Sequence, residues 1–214
     1  QAIEELTAAG VTFPVHARYF IAGGNQTALD SANVLKQAFS DSFGDDFIVL
    51  DIDSYVSSLS KEVRDPRRQS FVINGWGADY GDPQNYLGQE TNDGDNAYYM
   101  VNFGHAVDSE SDELKDLYSQ FTELVNKADA ITDDLDARYE AFAEAEVFML
   151  EHALTVPVSF DISWELTRIN DYSKMNAMFG IQNTKYKNWE TSTDAYTAED
   201  YAAFLQTCNE NASK

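Results

Sequence analysis

The residues best equipped for chemistry lie together between Ser70 and Leu87, in the run Ser-Phe-Val-Ile-Asn-Gly-Trp-Gly-Ala-Asp-Tyr-Gly-Asp-Pro-Gln-Asn-Tyr-Leu. Trp76, Tyr80 and Tyr86 offer aromatic faces, and Asp79 and Asp82 offer carboxylates. Gly75, Gly77 and Gly81 leave main-chain groups open to close approach by another backbone. Aromatic faces, open amides and a carboxylate suit a ligand that carries a cationic amine. The same residues also fit a packed turn in which an aspartate caps the backbone, so composition alone leaves both readings open. A third reading makes Asp79 and Asp82 the acid/base pair of a carboxylate-based hydrolase acting on glycans, although residues this close in sequence seldom flank a scissile bond at the required separation.

The elements that position this loop follow from periodicity. Phe71, Val72 and Ile73 form an apolar run expected of a buried strand, which the glycines and Asp82-Pro83 release into a loop. Upstream, Ile3, Leu6 and Gly10 suggest the end of a helix with a glycine cap, and Pro14 opens a strand in which Val15, Ala17, Tyr19 and Ile21 alternate. From Thr27 the period is helical, with Leu29, Ala32, Leu35, Phe39 and Phe43 on one face and Gly44 as the stop. Phe47 to Leu50 is continuously apolar, as a strand covered on both faces requires, so Val15 to Ile52 reads as a right-handed β-α-β unit. Tyr55, Leu59 and Val63 mark a short helix that breaks at Arg64-Asp65-Pro66-Arg67-Arg68.

Downstream, Gly88 to His105 is a polar, tyrosine-rich loop. Its Asn92–Asn96 run fails as a calcium loop, because Tyr98 and Gly104 stand where glycine and a bidentate glutamate are needed. Leu114, Leu117, Tyr118, Phe121, Leu124 and Val125 predict a helix capped by Ser109 or Ser111. Leu135, Tyr139, Phe142, Val147 and Leu150 predict another after Thr132 to Asp134, with Glu140, Glu144 and Glu146 on its solvated face. Val156-Pro157-Val158-Ser159-Phe160 reads as the last strand. Beyond it, Trp164, Arg168, Tyr172, Met175, Met178 and Phe179 suit a lid, an interface or an apolar binding surface. Thr197 to Asp200 has the form of a capping box before a short helix with Tyr201, Phe204 and Leu205, and the tail from Asn209 is expected to fray.

The segment Gly75-Trp76-Gly77-Ala78-Asp79-Tyr80-Gly81-Asp82-Pro83 resembles the Gly-Trp-x-Ala-Asp-Tyr-x-x-Pro signature of the oligopeptide- and dipeptide-binding proteins of ABC importers, the family 5 extracytoplasmic solute-binding proteins. Ala9-Gly10 before the first strand and Val156-Pro157-Val158 after the last long helix fit the same family, and the resemblance covers most of the chain. It implies an α/β fold: one lobe of a type II periplasmic-binding-protein-like bilobed clamshell, a mixed sheet flanked by helices. Residues 1–180 would be the C-terminal lobe and 181–214 an extension with a short helix. The resemblance places peptide main chain against Gly75, Trp76 and Gly77, the peptide α-amino group against Asp79, and Tyr80 beside them. It further implies no catalysis and no cofactor. The implied partners are a peptide ligand, the N-terminal lobe of the same full-length protein and the membrane permease of an ABC importer.

Members of that family are longer and carry an export signal, often with a lipid-modified cysteine. The resemblance therefore implies an extracellular, cell-surface lipoprotein attached to the bacterial membrane, of which Gln1 to Lys214 would be a soluble C-terminal piece. Relatives also take up oligosaccharides, nickel complexes or haem, which keeps another small solute open as ligand. Some use arginines just before the tryptophan for the ligand carboxylate; Arg64, Arg67 and Arg68 are the candidates here, alongside the plainer reading that they pair with local carboxylates. Ile73 departs from that pattern. Tyr98, Tyr99 and Asn102 are candidates for the outer part of a pocket, or for a plain surface loop.

Composition is consistent with this class. A chain of 214 residues with 43% hydrophobic and 13% aromatic content can bury a substantial core and is not a disordered acidic tail. A net charge of −23 argues against nucleic acid and anionic membrane surfaces, and leaves cationic or zwitterionic ligands favoured. One cysteine, Cys208, excludes an internal disulfide, and His16, His105 and His152 show no metal spacing.

Overall fold

The computed structural model describes residues 1–92, 97–104, 106–160, 169, 189–191, 193–195 and 197–212. They form two compact units, one of Gln1–Gly75 with Tyr99–His105 and one of Trp76–Tyr98 with Ala106–Lys214. The architecture is mixed α/β, with a small parallel sheet and flanking helices.

In the first unit, helix α1 (Ala2–Ala8) ends in a Schellman turn. Gly10 takes φ +93°, its N–H donates to the Thr7 carbonyl at 3.0 Å, and the Val11 N–H reaches Leu6 at 2.9 Å. Strand β1 (Val15–Ala22) pairs in parallel with β2 (Ile48–Tyr55), in register from Val15 opposite Ile48 to Ala22 opposite Tyr55. Helix α2 (Gln26–Phe43) makes the crossover. Its start is fixed by the Asn25 side chain, which accepts from the Ala28 N–H at 3.0 Å, and its end by Gly44 at φ +80°. The expected β-α-β unit is therefore present. Only Leu50 of β2 is fully buried, however, so among the described residues the strand is not covered on both faces. The reason lies in its second half. Asp51 accepts from His16 at 2.8 Å and Asp53 from Arg18 Nε at 3.0 Å, so one face of the sheet carries polar and charged side chains, flanked by the Arg18 and Arg68 guanidinium groups over the Phe20 ring.

The expected strand at Phe71–Ile73 does not form. Ser70 exchanges two hydrogen bonds with the backbone of Arg18, at 2.9 Å each, and the ladder stops there. Phe71 instead turns its ring onto Tyr19 and Phe39, with centroids 5.3 and 5.9 Å apart, and Ile73 stays exposed. Burial of one large ring is thus met by stacking rather than by strand pairing. Before it, a π-helical turn Ser60–Arg64 is tied down by Glu62. The Glu62 carboxylate accepts the N–H groups of Val56, Ser58 and Ser57 and the Ser57 hydroxyl, which together hold its pKa at about 2.

The second unit contains the short helix α3 (Gln84–Leu87) and two long helices, α4 (Asp112–Asp129) and α5 (Leu135–Glu151). Ser111 caps α4 by accepting from the Leu114 N–H at 3.2 Å, and Asp134 caps α5 by accepting from Ala137 at 3.0 Å, as the sequence predicts. The core consists of Leu87 from α3, Phe121, Val125 and Ala128 from α4, and Phe142, Ala145 and Met149 from α5. This corrects the expected α5 face: Leu135, Tyr139, Val147 and Leu150 are exposed, and Glu140, Glu144 and Glu146 are exposed as predicted. Ala128 and Ala145 are fully buried beside Phe121 and Phe142, so the buried stripe is not the one with most large residues.

Val156–Phe160 is not a strand either. Its residues make no hydrogen bond among the described residues, and Phe160 is 97% exposed. The capping box is present. Thr197 N–H donates to Asp200 at 2.9 Å and the Asp200 N–H returns to the Thr197 hydroxyl at 3.2 Å, opening helix α6 (Ala198–Ala212), which runs past Asn209 rather than fraying there. Residues 93–96 of the polar loop, His105, and the aromatic stretch with Trp164, Arg168, Tyr172, Met175, Met178 and Phe179 lie outside the described residues. No helix among the described residues is long and apolar enough to cross a membrane.

Phe121 and Phe142 face each other's helices with no solvent access to speak of, at 0% and 1% exposed. Phe121→Ala is expected to cost about 3–5 kcal/mol in urea unfolding of the 214-residue chain, while Phe160→Ala changes it by less than about 0.5 kcal/mol. Equal effects at the two positions would contradict this core.

Candidate functional site

Residues Trp76 to Leu87 are built from the α3 end backwards. Leu87 enters the α4–α5 core, and the Tyr86 and Leu87 N–H groups both donate to the Pro83 carbonyl at 3.0 Å. Asp82 caps this turn: its Oδ1 accepts from the Gln84 N–H at 2.9 Å. The same carboxylate receives a two-pronged guanidinium from α5, with Arg138 Nε to Oδ2 at 2.8 Å and Nη2 to Oδ1 at 3.0 Å. Arg138 also donates to Asp129 Oδ1 at 2.7 Å and to the carbonyls of Ala128, Asp129 and Ile131, and its guanidinium lies 4.9 Å from the centre of the Phe142 ring. One arginine therefore joins the loop to the C-terminal end of α4, where the carbonyl ends of the helix favour a cation.

This separates the two carboxylates. Asp82 is ordered, capped and paired, so the turn-capping reading holds for it, and its lone pairs are committed to donors rather than open to acid/base work. Asp79 is exposed, and its carboxylate accepts no hydrogen bond or ion pair from any described residue. Its main chain is nonetheless fixed, because the Asp79 N–H donates to Asn85 Oδ1 at 2.8 Å. The same oxygen accepts the Trp76 indole Nε1–H at 3.0 Å. Trp76 is half-buried and tilts against Tyr98 with ring centroids 5.4 Å apart. Tyr80 is exposed and donates its hydroxyl to Gln84, and Tyr86 is exposed.

Gly75 and Gly77 are exposed, and a Cβ built on either would meet nothing within 4 Å. Neither has a positive φ, so no internal contact or backbone conformation of this chain demands glycine there. The Gly75 N–H turns back to Asn74 Oδ1 at 2.9 Å. Among the basic candidates, Arg64 pairs with the Asp65 carboxylate at 3.2 Å, in keeping with the local-pairing reading, whereas Arg68 donates to the backbone carbonyl of Glu62 at 3.0 Å. Tyr98 belongs to the second unit, and Tyr99 and Asn102 to the first. Asn85 and Arg138 were not among the residues expected from sequence. The available signal was a lone arginine one turn before Phe142 on a helix rich in acids, facing an aspartate-proline turn 56 residues earlier.

Curated relatives bear on what such a loop serves. The chain is 28% identical over 218 residues to the oligopeptide-binding protein AliB of Streptococcus pneumoniae, covering 94% of this chain and 32% of that protein. It is 25% identical over 203 residues to the oligopeptide-binding protein SarA of Streptococcus gordonii, covering 90% and 30%. With AliA of Streptococcus pneumoniae the identity is 24% over 209 residues, covering 92% and 32%. The chain is similar to streptococcal oligopeptide-binding proteins. The resemblance read from the Gly75–Pro83 signature is thus met by relatives of that kind, and the chain spans about a third of their length, between 30% and 32%. No protein-family model matches it.

The Arg138 hydrogen bonds are the main reason that the Asp82 carboxyl sits below the usual aspartate range, against burial and with help from the Gln84 N–H. Its folded pKa is below its unfolded one, so the stability it confers is present above the unfolded value and lost as pH falls through the folded one. With side chains 13% and 22% exposed, the pair is close to buried. Asp82→Asn is expected to cost about 3 kcal/mol in urea unfolding at pH 7, because it removes the charge of the guanidinium's two-pronged, nearly buried partner. The deficit should shrink below about pH 4, the ordinary aspartate range. A deficit independent of pH would show that the charge of Asp82 is not what matters.

Proposed function

We propose that this chain is the ligand-contacting lobe of a non-catalytic oligopeptide-binding protein serving an ABC importer, one half of a bilobed clamshell of the type II periplasmic-binding-protein kind. The single observation that carries the reading is the contrast between Asp82, engaged on both oxygens, and Asp79, exposed and without a partner among the described residues. A carboxylate held on an ordered backbone and left open is suited to neutralise a cationic end group. In this reading a peptide's α-amino group meets Asp79. Its main chain runs against Gly75, Trp76 and Gly77, and at the two glycines the absence of a Cβ is not needed by the chain's own packing. Trp76 and Tyr80 wall the first side-chain position. Recognition through backbone groups accommodates many side chains, in line with the relatives' description as oligopeptide-binding.

The remaining assignments rest on the resemblance. Residues 1–180 would form the C-terminal lobe and 181–214 its extension; the 180/181 boundary itself lies outside the described residues. The partners would be the N-terminal lobe of the same protein and a membrane permease, with the whole held at the cell surface as a lipoprotein. A hydrolase pairing Asp79 with Asp82 has little support, since Asp82 is saturated by Arg138 and Gln84.

In the full-length protein, Asp79→Ala should weaken binding of trialanine by about a hundredfold, some ~3 kcal/mol, by calorimetry. N-acetyltrialanine, which lacks the charge, should bind the variant and the unsubstituted protein alike. Unchanged affinity for trialanine would reject the assignment. Gly77→Ala separates packing from binding: thermal stability should hold or rise by up to about 1 kcal/mol, while trialanine affinity falls. A variant with undiminished affinity would remove Gly77 from the contact surface.

A further inference from the structure

Asn85 is 5% exposed, and its side chain is directed at the loop rather than at its own short helix. Its two close partners, the Trp76 indole and the Asp79 amide, are both N–H donors, so the atom between them is the carboxamide oxygen. That oxygen reaches back six residues to Asp79 and nine to Trp76. The residue that carries it is itself held. Its N–H donates to the Asp82 carbonyl at 3.1 Å, its carbonyl accepts Gln89 Nε2 at 3.2 Å, and Asp82 is anchored by Arg138. A chain of hydrogen bonds thus runs from α5 to Trp76 and Asp79.

We infer that Asn85 is a positioning residue: its amide oxygen fixes the Trp76 indole relative to the Asp79 main chain and so aims the Asp79 carboxylate, without itself touching ligand. The inference rests on the amine-binding reading above and adds to it the residue that sets the geometry. A plain structural role would have Asn85 satisfy nearby backbone only. Here one acceptor ties together a side chain and a main chain from different positions of the loop, so its loss would uncouple them even if the fold persists.

The test compares trialanine with N-acetyltrialanine on the full-length protein and reads the ratio of the two affinities. Asn85→Leu removes the acceptor at similar volume, and Asn85→Asp keeps an oxygen that can accept both donors. The ratio should fall by about tenfold in Asn85→Leu and return to within about threefold of the unsubstituted value in Asn85→Asp. A folded Asn85→Leu protein with an undiminished ratio overturns the inference, as does an Asn85→Asp protein that behaves like Asn85→Leu. Hydrogen exchange of the unsubstituted protein needs no variant: the Asp79 amide and the Trp76 indole N–H should both be protected, and exchange of Asp79 at the rate of an unstructured chain overturns the proposal. If the unsubstituted protein binds neither peptide, or both equally, the amine reading fails instead, and the exchange rates then decide on Asn85 alone.

Discussion

Arg138 meets the demand that polar groups removed from water be satisfied, and the geometry of the second unit depends on it. The end of α4 leaves carbonyls without helical partners, and the aspartate-proline turn leaves a carboxylate beside them; either would cost free energy if left alone. A planar guanidinium with five donors can serve both at once, whereas an ammonium could serve only part of the set. Three carbonyls, Asp129 and both oxygens of Asp82 converge on this side chain, and the Phe142 ring beneath it joins the ion network to the apolar core. The loop is consequently an extension of the helix pair rather than an independent surface segment.

From that anchor, order passes outward in steps of decreasing burial. Arg138 is nearly enclosed, Asn85 is buried, Trp76 is half-buried, and the carboxylate of Asp79 lies in solvent. The proposed recognition surface depends on this gradient. The group that meets a ligand must be open, but a group that is open and also loose loses entropy on binding that a fixed one does not. The two aspartates three residues apart show how the sequence divides the work between fastening and display.

Much of the scaffold was legible because caps are read from single side chains. Ser111, Asp134, the Thr197–Asp200 box, Gly10 and Gly44 all stop or start helices where their chemistry says they should. The parallel β1–β2 pair was legible from two apolar runs separated by a helical period. The segments at Phe71–Ile73 and Val156–Phe160 were misread for one shared reason. An apolar run states that side chains favour burial, but a strand also needs a neighbour with matching donors and acceptors, and no neighbour is written into the run itself. The α5 face differs from the one that large residues alone suggest, because its buried stripe runs through Phe142, Ala145 and Met149 and a small alanine carries no weight in such a count. Within the site, the displayed residues were visible as a motif. Asn85 and Arg138 were not, since an asparagine that shares its oxygen and an arginine 56 residues from its partner leave no local pattern.

The charge balance adds a consequence that contact geometry does not contain. Asp79 projects from a chain with 37 acidic and 14 basic residues, so it sits in a potential that already disfavours another uncompensated negative group. In the proposed function, an approaching cation would be drawn in before it touches anything, and its arrival would relieve repulsion among the carboxylates. At physiological ionic strength such a field decays over about 8 Å, which makes the speed of capture, more than the choice among captured molecules, the property that salt would tune.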